Sequence, residues 1–157
     1  MRVDQAMTKD VKVCRANDTL NEVARLMWDN DCGCVPVVDE AGHAIGMITD
    51  RDICMAAYTR GVSLREVPVE QIMSRQLISC GPDSSVDMAE ALMASHQVRR
   101  LPVLGFENQL VGLLSLGDIA RTARSKGNGH DRGLTARAVE NTLAAVCQPR
   151  MHHAITP

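Results

Sequence analysis

Aromatic side chains are almost missing from this chain: they make up 2% of it, as Trp28, Tyr58 and Phe106. A platform for single-stranded nucleic acid needs several rings on which bases stack, so that mode of binding is excluded. An excess of one charge is missing too. Net charge is −2, and no global basic field attracts DNA, RNA or anionic lipid. No apolar run approaches the roughly 18 residues that a membrane span needs. Met1 to Val11 mixes Arg2, Asp4, Lys9 and Asp10 among its apolar residues, unlike the apolar stretch of a secretory leader. A cytoplasmic protein with no membrane contact is expected.

Metal and catalytic signatures are thin. The six cysteines do not imply disulfides in a reducing compartment. Cys14, Cys54 and Cys80 sit among apolar neighbours and read as small hydrophobes. Cys32-Gly33-Cys34 is the one close pair, and zinc would require a second Cys or His pair at ligand spacing. His43 and His96 stand alone, while His152-His153 fall in a tail expected to be disordered. The pair therefore reads as an ordinary turn-to-strand segment, with no metal expected. There is no Walker loop, no GxGxxG run and no Ser/His/Asp spacing. Cys34 is the one candidate nucleophile, with no histidine evident to activate it. No catalytic residue and no catalytic cofactor are expected.

Aliphatic residues, by contrast, are plentiful: the hydrophobic share is 45%, and it is written as an internal repeat. Slid along itself until Val3 meets Val69, the chain places Met7 on Met73, Cys14 on Cys80 and Leu26-Met27 on Leu92-Met93. Val35-Pro36-Val37-Val38 falls on Leu101-Pro102-Val103-Leu104, Gly46 on Gly112, Asp52-Ile53 on Asp118-Ile119 and Gly61 on Gly127. Residues 1–61 are one copy, 62–68 a linker and 69–127 the second copy.

Each copy has the same order of elements. Val11 to Cys14 and Leu77 to Cys80 are short and β-prone. Thr19 with Glu22 fits a capping box, and Leu20, Val23, Ala24 and Met27 follow as one helical stripe. Val86, Ala89 and Met93 keep that phase behind a Ser85 cap. Cys34–Val38 and Ala44–Ile48, separated by Asp39 to Gly42, read as a hairpin, as do Arg100–Leu104 and Leu110–Leu114. Pro36 and Pro102 each remove a ladder donor, so their strand should lie at an edge or turn its free side to a ligand. A second helix starts near Asp50 and near Gly117. The expected class is α/β (α+β): two β-α-β-β-α repeats packed as a pseudo-two-fold pair, since one copy alone buries its apolar face poorly. Residues 128–157 add a glycine-rich connector beginning near Ser125, a helix carrying Leu134, Ala138, Val139, Thr142, Leu143 and Val146 up to Pro149, and the tail.

Over residues 1–126 the chain resembles the CBS-domain family. The marks are the twice-written Met-(Thr/Ser) segment, the apolar-Pro-Val-apolar strand, and Gly46-Met47-Ile48-Thr49-Asp50-Arg51-Asp52-Ile53 with its counterpart Gly112 to Ile119. The motif also has its own chemistry. Thr49 and Ser115 lie where a strand becomes a helix, where free N–H groups suit phosphate. Asp52 and Asp118 suit the helix dipole, and a carboxylate there accepts from a ribose diol. The plainer reading is that all four are helix-start residues.

The resemblance implies two pockets for an adenine nucleotide. One has Thr49 and Asp52, with Leu77, Ile78, Arg99, Arg100, Leu101 and Pro102. The other has Ser115 and Asp118, with Val11, Lys12, Gly33, Cys34, Val35 and Pro36. Arginine offers forked donors for phosphate, so the first pocket is expected to prefer phosphorylated ligands. AMP, ADP or ATP fits this reading; NAD and S-adenosylmethionine share the adenosine. The resemblance also implies a homodimer through the helices, with Ile53, Ala56, Ala57, Ile119, Ala120 and Ala123 as packable residues, and an unidentified effector protein. Two alternatives stand beside it: a purely structural dimerisation module without a small ligand, or a nucleic-acid-associated regulator using Arg121, Arg124, Lys126 and Arg132. The charge balance disfavours the second.

Overall fold

Thr19 starts the first helix as its spacing predicts. Its hydroxyl accepts from the Glu22 amide at 3.3 Å, and the Glu22 carboxylate accepts from the Thr19 amide at 2.7 Å. Helix α1 (Leu20–Asp29) then buries Leu20, Val23 and Met27. The hairpin of β1 (Cys34–Val38) and β2 (Ala44–Thr49) follows, antiparallel, with Pro36 opposite Met47. Helix α2 (Asp50–Arg60) leaves β2 without a loop. The second half repeats this: α3 (Val86–His96) behind a Ser85 cap, β3 (Arg100–Leu104) and β4 (Leu110–Ser115) with Pro102 opposite Leu113, and α4 (Leu116–Ser125). One further helix, α5 (Ala136–Val146), completes the set. The computed structural model describes residues 1–125 and 136–148. The expected connector from Lys126, Leu134, Pro149 and the tail lie outside them.

Each hairpin is completed by chain from the other half. Thr8 pairs with Leu113 of β4 through two 2.9 Å backbone hydrogen bonds, and Ser74 pairs with Met47 of β2 in the same way. Val3 is fully buried in the core of Val86, Met93, Leu101, Val103, Leu114 and Ile119. Val67, Val69 and Met73 join the core of Leu20, Val23, Val35, Val37, Ile48 and Ile53. Residues 62–68, read from the sequence as a linker, thus carry Val67 into the first core. The approach depends on two glycines. A Cβ on Gly46 would stand 2.8 Å from Met73 Sδ and 3.0 Å from the Ser74 carbonyl. On Gly112 it would strike Met7 Sδ and lie 3.1 Å from the Thr8 carbonyl.

The expected strands at 11–14 and 77–80 shrink to one bridging residue each, Cys14 beside Val37 and Cys80 beside Val103. Proline explains why. Cys14 donates to the Pro36 carbonyl at 3.1 Å and accepts from Val38 at 2.9 Å. The donor that would continue this parallel ladder backwards belongs to Pro36, which has none. Pro102 stops the ladder at Cys80 identically. The free side of each proline therefore faces the extended run of its own repeat.

Helix α5 packs on α3 and α4. Val146 enters the second core, whereas Leu143, placed in the apolar stripe by its spacing, is 47% exposed. The Thr142 hydroxyl stands 3.3 Å from Glu90 Oε1 and 3.0 Å from the Ala138 carbonyl. Its one hydrogen is thus shared between two acceptors, the Glu90 carboxylate and the Ala138 carbonyl. Burial pushes the Glu90 carboxyl above its usual range, the Thr142 contact opposing it.

Two outcomes follow from this packing. Gly112→Val should cost about 1–3 kcal/mol through overpacking against Met7 and Thr8, read as a lower urea midpoint. For Glu90 the folded chain holds the proton more tightly than the unfolded chain, so stability is lost as pH rises through the raised value. Glu90→Gln should therefore raise the melting temperature at neutral pH. The gain should vanish below the ordinary glutamate range, and a gain that is the same at every pH would contradict this assignment.

Candidate functional site

Two strand-to-helix junctions carry the sequence motif. Thr49 ends β2 and caps α2: its amide and hydroxyl donate to Asp52 Oδ2 at 2.9 and 2.7 Å, and the Asp52 amide returns to Thr49 Oγ1 at 3.2 Å. Ser115 and Asp118 repeat this at 2.8, 2.6 and 3.1 Å. One oxygen of each acid is thus committed to helix capping. The junctions differ at the other oxygen. Asp52 is half-buried, and its Oδ1 has no hydrogen-bond partner among the described residues. Asp118 is buried at 8% exposure, and its Oδ1 is taken by Arg121 Nη2 one helical turn on. Met55 occupies the place equivalent to Arg121 in the first repeat. The Asp118-x-x-Arg121 spacing was a readable signal for that ion pair.

The remaining site candidates separate into those gathered and those scattered. Gly33 accepts from the Asp50 amide at 3.2 Å. A Cβ there would lie 2.9 Å from Asp50 Oδ2 and 3.7 Å from Arg100 Nη2. Arg100, exposed on β3 opposite Ser115, therefore reaches across the pseudo-two-fold axis to the start of α2. Arg99 does not accompany it; its guanidinium donates to Cys147 Sγ beside α5 at 3.6 Å. Lys12 is exposed and paired with Asp10 at 3.0 Å. Leu101 and Val35 have no exposed surface, and Pro36 and Pro102 are buried, with their carbonyls accepting from Cys14 and Cys80. Leu77 and Ile78 are half-buried, and like Val11 to Val13 their backbone groups have no hydrogen-bond partner among the described residues.

The thiols near Arg100 are not activated. Burial pushes Cys34 up to about 11 although Arg100 pulls the other way, and Cys32 is raised for the same reason. At neutral pH Cys34 is a thiol rather than a thiolate nucleophile. All six cysteines are free, and no group of three potential metal ligands occurs among the described residues.

Two concavities border this region. One of about 460 Å³ runs between α1 and α2 and reaches Gly33 and Asp50, but not Thr49 or Asp52. The other, about 220 Å³, is lined by Val11, Val13, Arg15 and the start of β4. Val11 therefore sits on the hairpin-tip side, away from Ser115 and Asp118. Neither concavity is lined by Thr49 and Asp52 or by Ser115 and Asp118.

A comparison with known proteins places these features. The family model described as "CBS domain" matches residues 3–58 and 69–125. The CBS domain-containing protein YhcV of Bacillus subtilis is 42% identical over 118 residues, covering 75% of this chain and 82% of its own. The CBS domain pair of protein MJ0100, solved with 5′-methylthioadenosine and S-adenosyl-L-methionine, superposes with a TM-score of 0.73 at 26% identity, over 80% of this chain and 98% of its own. Hypoxic Response Protein I, solved with two zinc ions, gives 0.70 at 28% identity, over 77% and 98%. Two matched repeats, each ending in the same capped strand-to-helix junction, make this chain a member of the CBS-domain family.

Proposed function

We propose that the chain is a cytoplasmic, non-catalytic sensor that binds an adenosine-containing ligand at the Thr49–Asp52 junction. The observation that carries this is the second oxygen of Asp52. It is half-buried at a helix N-terminus, held in place by the capping bonds to Thr49, and unclaimed among the described residues. A vicinal diol can donate to it without breaking the cap. The unpaired backbone of Leu77 and Ile78 supplies donors and acceptors for an adenine edge, and their side chains an apolar flank. The methylthioadenosine and S-adenosylmethionine in the MJ0100 structure share that adenosine.

Arg100 supplies a cation for a phosphate, and Asp50 against the same glycine offsets part of its charge. A monophosphate matches that balance better than a triphosphate, so AMP is favoured over ATP, with ADP between. Arg99, engaged at Cys147, is not part of the grip. The Ser115–Asp118 junction is the weaker site because a diol there must displace Arg121. No helix among the described residues is long and apolar enough to cross a membrane. Binding biases the arrangement of the repeats through its different affinity for each, and an effector protein reads that arrangement.

Calorimetric titration with AMP should give one strong site per chain. Asp52→Asn should weaken it at least tenfold, about 1.4 kcal/mol, with the fold checked by circular dichroism. Arg100→Ala should weaken AMP but not S-adenosylmethionine. Loss of binding in Asp118→Asn but not in Asp52→Asn would move the site to the other repeat. No heat with AMP, ATP, NAD or S-adenosylmethionine would leave a structural module. In a second measurement, Arg121→Met should raise the AMP stoichiometry from one towards two; an unchanged stoichiometry would refute the role given to Arg121.

A further inference from the structure

The run from Lys9 to Val13 is left open by the fold. Thr8 before it and Cys14 after it are bridged to Leu113 and Val37. Between them no backbone N–H or carbonyl has a hydrogen-bond partner among the described residues. Unpaired groups along a strand edge are a template for another strand. Lys9, Val11, Val13 and Arg15 line one side of the 220 Å³ groove, and Leu110 and Val111 of β4 line the other. Val13 is 38% exposed. Arg15 Nη1 donates to the Val38 carbonyl at 3.3 Å, and neither Arg15 nor Lys9 pairs with a carboxylate side chain among the described residues. Lys12, by contrast, is neutralised by Asp10. The groove therefore has an apolar middle and a cation without a carboxylate at each end.

We infer that this run is a docking edge for an extended acidic segment of a partner protein, which adds to it as a strand. In that mode main-chain hydrogen bonds supply affinity and alternate side chains supply specificity. An added strand sets its own side chains beside Lys9, Val11, Val13 and Arg15 as cross-strand neighbours. The matching segment carries an acid at each end and β-branched residues between, all on one face. A second copy of the same edge is a poor occupant, because either strand direction sets Lys9 and Arg15 against like charge. A single-stranded nucleic acid is a poor one too, because the groove offers no ring on which a base can stack. The equivalent run of the second repeat has Arg75, Leu77, Ser79 and Gly81 at these places, so one of the two cations is missing there. The inference does not rest on the adenosine reading. Val11 lies away from Ser115 and Asp118, and a chain that binds no nucleotide still offers this edge.

The probe is a fluorescein-labelled peptide with glutamate at each end, valines between them on the same face and threonines on the other. Its anisotropy should rise to a plateau as the full chain is added. Methylating the peptide's backbone nitrogens should weaken binding at least tenfold, and so should exchanging its glutamates for lysines. Lys9→Glu and Arg15→Glu should each cause a similar loss with unchanged circular dichroism, whereas Arg75→Glu in the second repeat should cause none. The inference is overturned by anisotropy that stays flat to the highest soluble concentration. It is overturned equally by affinity that survives methylation, or by affinity kept in Lys9→Glu and Arg15→Glu. Glutarate or a single-stranded DNA that displaces the probe as well as unlabelled peptide does would assign the groove to a small anion or a nucleic acid and overturn it too.

Discussion

The fold depends on one close approach made twice: the backbone of a leading segment pressed against a glycine in the other half's hairpin. A two-stranded hairpin with two helices cannot close its own apolar core. Thr8 against Leu113, above Gly112, and Ser74 against Met47, above Gly46, close it from outside. Val3, Val67, Val69 and Met73 then become core residues of the half they visit. The halves are therefore interlocked as well as adjacent, and neither contains a complete core without the other's chain. The same crossing carries the chain on through residues 9–13 and 75–79 to Cys14 and Cys80, which bridge to Val37 and Val103. Pro36 and Pro102 prevent those runs from pairing beyond Cys14 and Cys80. Interlocking and an open backbone edge at the junctions thus come from one arrangement.

Much of this was legible in the sequence because it is local. The Thr19–Glu22 box, the Ser85 cap, the Asp39 turn and both hairpins need only residues a few places apart, and the repeat fixes their order. The capping of α2 and α4 was legible as the plainer of two readings, and it is what one oxygen of Asp52 and of Asp118 does. Non-local features left no periodic trace. The visit of Val67 to the first core looks like linker composition, and the premature end of the Val11–Cys14 strand lies in a proline of another strand. Arg99 and Arg100 read as a pair, yet β3 begins at Arg100 and leaves Arg99 in the bend before it. That is why one reaches Gly33 and the other Cys147. Leu143 fits the stripe by number, but α5 meets its neighbours over a narrower face.

Duplication supplied two equal junctions and two equal helical faces, and substitution has made each pair unequal. Met55 became, or was replaced from, Arg121's counterpart; Gly33 faces Arg99; Ala24 faces Glu90. Gly46 and Gly112, Pro36 and Pro102, and Val37 and Val103 nevertheless remain identical at the interlocking contacts. A shared core tolerates little change because a misfit in one hairpin displaces the segment that closes the other. Core exchanges therefore keep one aliphatic residue for another, as Leu20 with Val86 and Ile48 with Leu114, whereas the junctions and helical faces change charge.

Helix α2 joins the two surfaces of the first repeat. Asp52 lies in its first turn, and Ile53 and Cys54, the next residues, line the groove beside Trp28. A ligand on Asp52 Oδ1 and an occupant of the groove would act on the same helix at consecutive residues. If they favour different settings of α2 against α1, each must alter the affinity for the other by the same factor, because linkage between two binding equilibria is reciprocal. The second repeat lacks this route. Arg121 holds Asp118, and α5, anchored at Glu90, holds α3 and α4. Signal and response would thus both belong to the first repeat, with the second serving as the fixed frame against which α2 moves.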